Sequence, residues 1–98
     1  MRLDTIQIKA LKNALKNLNN EDEVYLFGSR VDDNKRGGDI DLLIFSQQPS
    51  FELSRKITRD FFKLCEEKID VLVVNPMSIS SEHAIFIKSI NKISLQRL

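Results

Sequence analysis

Tryptophan is absent from this chain, and cysteine, histidine and tyrosine occur once each. A single Cys65 cannot close a disulfide or supply a cysteine-based zinc site within one chain. It lies on an apolar face beside Phe61 and Leu64 and reads as a core residue. His83 has only Glu82 beside it and no ligand-spaced partner, so it reads as a surface or capping residue. Neither sign of charge dominates, with 15 Lys and Arg against 14 Asp and Glu and a formal net charge of +1. No polybasic stripe with interleaved aromatics is present, which argues against a dedicated nucleic-acid-binding module. No apolar run approaches the ~20 residues that a membrane span needs. Residues 1–20 carry Lys and Asn without an apolar stretch, so no secretory leader is expected and a cytoplasmic location is. Glycine is scarce too, and its three copies all fall at positions 28, 37 and 38.

Across 98 residues, 42% of them hydrophobic, one folded domain over residues 1–98 is expected, with a modest core. Leu3, Ile6, Ala10, Leu11, Ala14, Leu15 and Leu18 recur at helical steps, predicting a helix over about 3–19 with Asp4 suiting its dipole. Val24 to Phe27 form a short β-prone run that Gly28 stops. The glycine-bearing, charged stretch 28–38 is a connection, and 39–45 is a second strand. Gln47, Gln48, Pro49 and Ser50 make a turn. Ser50 is placed to cap a helix over about 51–66, whose apolar face is Leu53, Ile57, Phe61, Leu64 and Cys65. A third strand runs from 68 to 74, closed by Asn75 and Pro76. Ser80 or Ser81 opens a last helix through Ala84, Ile85, Ile87 and Lys88, and 91–98 is ambiguous. Three short strands among helices predict an α/β (α+β) fold with a small mixed sheet. Phe61 and Phe62, like Ile85, Phe86 and Ile87, spread around their helices and hint at an interface with a partner or a second copy.

Strand side chains alternate faces, so Asp39 and Asp41 share one face while Ile40, Leu42 and Ile44 turn to the core. Residues two apart on a strand sit about 6.5–7 Å apart, a span across which carboxylates can converge on a hard cation. Asp70 opens the third strand in the same way, with Ile69, Val71 and Val73 opposite. If the second and third strands are neighbours, three carboxylates occupy one surface and call for a metal to neutralise them. All-oxygen donors favour Mg²⁺ or Mn²⁺. Gly28 lets the chain turn sharply and approach a ligand, and Ser29 adds a hydroxyl. If a short helix begins there, its free N–H groups face an anion, which the metals point to as a polyphosphate.

Gly28-Ser29-Arg30, then Gly38-Asp39-Ile40-Asp41-Leu42, then Asp70 resemble the signature of the polymerase-β-type nucleotidyltransferase superfamily. The short chain is similar to its minimal nucleotidyltransferases, which are commonly paired with HEPN-domain toxins. That resemblance implies a mixed-sheet core and Mg²⁺-dependent transfer of AMP from ATP, with two ions, to a tyrosine hydroxyl of a partner toxin. It makes Asp39, Asp41 and Asp70 the metal ligands, Gly28 and Ser29 the triphosphate grip, and Arg30 a phosphate contact. Val31, Asp32 and Asp33 depart from the small and basic residues expected there, and Gly38 stands where a serine is common. The two acids are expected to face solvent or pair with Lys35 and Arg36. Two other readings stay open: an idle fold that neutralises its partner by contact, and transfer to a small molecule or RNA end.

Overall fold

The computed structural model describes residues 1–96 and 98. Helix α1 spans Thr5–Ala14 and continues as one 3₁₀ turn, Leu15–Asn17. It is shorter than its apolar periodicity predicts because Asp4 caps it. The Asp4 carboxylate accepts from the Gln7 N–H at 2.7 Å, and the Gln7 side chain accepts from the Asp4 N–H at 3.0 Å. This reciprocal box satisfies two free donors of the first turn. Gln7, Ala10, Leu11 and Ala14 form the buried face, while Ile6 of the predicted stripe faces solvent.

Strand β1 (Glu23–Phe27) runs into a 3₁₀ turn, Gly28–Val31, and then a loop to β2 (Ile40–Phe45). Helix α2 (Ser50–Phe62) crosses from β2 to β3 (Ile69–Val74). The expected Ser50 cap is corrected: Pro49 holds the capping position, and among the described residues no side chain caps the N–H groups of the first turn. Leu53, Ile57 and Phe61 are fully buried, and Cys65 nearly so, but Leu64 is exposed just beyond the helix end. Asp60 ties α2 to α1, its carboxylate accepting from Asn17 at 2.8 Å and its carbonyl from Asn13 at 3.0 Å. Helix α3 (Ser81–Ser89) is capped by the Ser80 hydroxyl.

A fourth strand, β4 (Lys92–Ser94), lies in the segment whose sequence is ambiguous. The sheet order is β3-β2-β1-β4. Strands β1 and β2 are antiparallel, as are β1 and β4, whereas β2 and β3 are parallel. A parallel pair needs a crossover, and α2 supplies it. Helices α1 and α2 cover one face of the sheet, packing on Leu26, Ile40, Leu42, Ile44 and Val73. On the other face Leu43 is also fully buried, and Phe86 of α3 stands edge-on to Phe27 at 5.5 Å. Among the described residues no helix is long and apolar enough to cross a membrane. The α+β class and mixed sheet agree with the sequence, and the strand number does not.

Candidate active site

The parallel register of β2 and β3 sets Asp41 directly opposite Asp70. Adjacent strands lie about 4.8 Å apart and paired residues share a face, so these carboxylates emerge side by side. Asp39 precedes β2 and by alternation joins the same face. Burial first, then the neighbouring Asp70 and Asp39 charges, push the Asp41 carboxyl above its ordinary value. One cation already stands at this row: Lys68 Nζ lies 3.3 Å from Asp39 Oδ2.

On the other side of Asp41 is Gly28. Its φ of 76° lies in the left-handed region, and a side chain added there would strike the Asp41 carboxylate. Glycine is therefore required twice over, by conformation and by space. Gly38, with φ of 85°, is placed against the Ser29 hydroxyl in the same way. The residue that stands where a serine is common leaves the room that Ser29 fills. The helix foreseen after Gly28 is only the four-residue 3₁₀ turn, too short to build a substantial dipole.

Arg30, for which the resemblance implies a phosphate contact, has its guanidinium turned inward. It is only 8% exposed, and its guanidinium is engaged within the protein. Nε donates to the Gly38 carbonyl at 3.0 Å, and Nη1 to the Arg2 carbonyl at 3.1 Å and the Gln7 side chain at 3.2 Å. A second guanidinium, that of Arg2, does complementary work that sequence reasoning missed. Its Nη2 donates to the Ser29 carbonyl at 2.7 Å and to Gly37 at 3.0 Å, and its Nε to Asp32 at 2.8 Å. The two arginines thus lash both ends of the 28–38 loop together from the inside. Nothing in the spacing of Arg2 signals this, because its partners lie in a segment brought to it by folding.

Asp32 and Asp33 do not pair with Lys35 and Arg36. The Asp33 carboxylate accepts from the Met1 amine at 2.8 Å, which holds its pKa below the ordinary value. That of Asp32 accepts from the Asn34 N–H at 2.9 Å, a local turn bond. The acids so prominent in the sequence are fittings of the loop.

Two hollows flank the carboxylates. One of 450 Å³ is lined by Phe27, Gly28, Ser29, Asn91 and the opposite charges of Asp32 and Lys35. The other, of 660 Å³, runs between β3 and α2 and reaches Asp70. Across the sheet the order is hollow, Gly28 and Ser29, Asp41, Asp70, groove. Among the described residues no three acidic, histidine or cysteine side chains gather closely enough to enclose an ion unaided. The row is instead open and all-oxygen, which suits a hard cation that keeps water or phosphate oxygens in its shell. Burial is the larger cause of the raised Asp41 carboxyl, and the Asp70 and Asp39 charges that add to it are ones a cation at the row would offset.

A family model described as "Polymerase beta, Nucleotidyltransferase" matches residues 9–94, nearly the whole chain. A search of curated proteins finds no match.

Proposed function

Because the chain belongs to the polymerase beta nucleotidyltransferase family, we propose that it transfers AMP from ATP to a hydroxyl of a partner protein. The observation that carries this reading is the in-register Asp41 and Asp70 pair standing beside Gly28 and Ser29. Asp39, Asp41 and Asp70 would hold Mg²⁺, which supplies charge neutralisation for the phosphoryl oxygens when bound. The triphosphate lies over Gly28 and Ser29, with Lys35 rather than Arg30 as the nearby cation. The acceptor approaches from the Asp70 side, and Asp70 takes its proton as the hydroxyl oxygen bonds to the α-phosphorus. The bond between that phosphorus and the bridging oxygen breaks, and pyrophosphate leaves. The order across the sheet supports an in-line reading, with nucleotide on one flank and acceptor on the other.

The residue pattern shared with minimal nucleotidyltransferases makes a tyrosine of a HEPN-type toxin the first acceptor to test, and neutralisation of that toxin the biological outcome. The protein is incubated with Mg²⁺, ATP labelled at the α-phosphate, and the candidate partner. Label is expected on the partner. The Asp39→Asn, Asp41→Asn double variant is expected to lose at least about a thousandfold of the rate, several kcal/mol of charge stabilisation being removed. Full neutralisation of the partner by that double variant would leave a contact antitoxin, and label found on RNA alone would remove the protein acceptor.

A further inference from the structure

We infer that the open edge of β3 is a docking site for an extended acidic segment of a partner protein, which adds to the sheet as a further strand. β3 has β2 as its neighbour on one side, and among the described residues no strand on the other. The Lys68 and Val74 carbonyls accept from the Ile40 and Ser46 N–H groups at 3.1 and 3.0 Å. Backbone groups along a strand alternate sides. The N–H and C=O of Ile69, Val71 and Val73 therefore point away from β2. Such a row is a template for another extended chain.

The groove beside that row supplies selectivity. Its far wall is α2, which contributes Arg55, Lys56 and Arg59 against the acid Glu52, with the ring of Phe62 at 46% exposure. Arg59 is already paired with Asp60 at 3.1 Å, which among the described residues leaves Arg55 and Lys56 as the cations that face the groove without an acid of their own. Two-fold pairing of β3 with a second copy would bring Arg55 and Lys56 against their own counterparts, so self-association is opposed. Acidic side chains convert the same residues into an attraction. A nucleic acid could meet the cations but could not match alternating N–H and C=O groups at 69, 71 and 73. Because strand side chains alternate, a docked segment turns one set toward α2 and the next toward the Asp70 face. Acidic residues at alternate positions with a hydroxyl residue between them satisfy both faces. Only the arrival of that hydroxyl at Asp70 rests on the nucleotidyl-transfer reading; docking does not.

The test uses the full chain, isotope-labelled, without ATP, and the probe acetyl-Glu-Tyr-Glu-Val-Glu-Val-Glu-amide. Bound peptide is expected to slow hydrogen exchange at the Ile69, Val71 and Val73 amides and to leave the 28–38 loop unchanged. The same peptide with Lys for every Glu is expected to bind at least roughly tenfold more weakly. Arg55→Glu with Lys56→Glu, both exposed positions, reverses that preference while leaving the amide spectrum folded. Unprotected edge amides, equal binding of the two peptides, or protection by self-dimerisation at micromolar concentration would each overturn the inference. So would displacement of the peptide by oligothymidylate that leaves those amides unprotected. Adding Mg²⁺ and ATP afterwards separates the two readings. An unlabelled tyrosine on a docked peptide counts against transfer to peptides, with docking upheld, whereas a labelled partner with bare edge amides counts against docking.

Discussion

The two flanks of the carboxylate row are built on opposite principles. On the Gly28 side, two guanidiniums donate to loop carbonyls, glycine α-carbons sit against Asp41 and Ser29, and the chain has no slack. On the Asp70 side, a strand edge and a groove are left open. Under the proposed chemistry the first flank receives the same triphosphate in every turnover, so its hydrogen-bonding groups are fixed in advance and little ordering is left for binding. The second receives an acceptor that carries its own structure, so the protein offers backbone and charge and lets the partner complete the site.

The sharpest way to break that contrast is to add one methyl group to the tight flank. Gly28→Ala places a side chain at a φ where an L-residue costs ~1–2 kcal/mol and drives its Cβ into the Asp41 carboxylate. Displacing a reacting group by about an ångström can cost about a hundredfold. A loss of at least that size is expected in the labelled-ATP assay, with circular dichroism still folded and the melting temperature lowered. Retained activity would mean that the loop does not need its present shape.

Arg2→Ala tests the same flank more gently. It removes three donations to loop carbonyls and touches none of the carboxylates. A lost bond to a charged donor is worth ~1.5 kcal/mol, which corresponds to about tenfold in affinity. The expected outcome is that rise in KM for ATP, with kcat within about twofold and exchange quickened in the 28–38 loop but not in β3. Arg2→Lys restores little of it, since an ammonium lacks the planar fork that spans three acceptors. A fall in kcat with KM unchanged would place Arg2 in the chemistry rather than in holding the loop.

The contrast also marks what could be read from residues alone. Asp39, Asp41 and Asp70 were legible because strand alternation is a local property, and the adjacency of β2 and β3 completes it. Gly28 was legible as a turn, but its contact with Asp41 is tertiary. The inward turn of Arg30 was not legible, because a guanidinium after Gly-Ser looks the same in sequence whether it turns outward to phosphate or inward to the Gly38 carbonyl. What turns it inward is a buried acceptor set from Arg2 and Gln7, more than twenty positions away. Strand β4 escaped notice because three residues of alternating burial carry no periodicity. It exists through its register on β1, reinforced by the Leu95 N–H donating to the Val24 carbonyl at 2.9 Å.

Asp41 belongs to both flanks, and the smallest expected effect lies there. Burial and then the Asp70 and Asp39 charges raise its folded pKa, so the fold favours its protonated form more than the unfolded chain does. That contribution to stability is fully present below the unfolded value of about 3.9 and is lost as pH rises through the folded one. At pH 7 the ionised side chain burdens the fold. Asp41→Asn removes the charge at nearly constant shape, so its melting temperature is expected to exceed that of the parent at pH 7, by a margin that shrinks as pH approaches 4. Mg²⁺ is expected to raise the parent's melting temperature and to have less effect on the variant. Thermal melts at the two pH values, with and without the ion, read both effects. A variant less stable than the parent at pH 7 would mean that Asp41 is held by favourable partners, and that the row is not strained toward a cation.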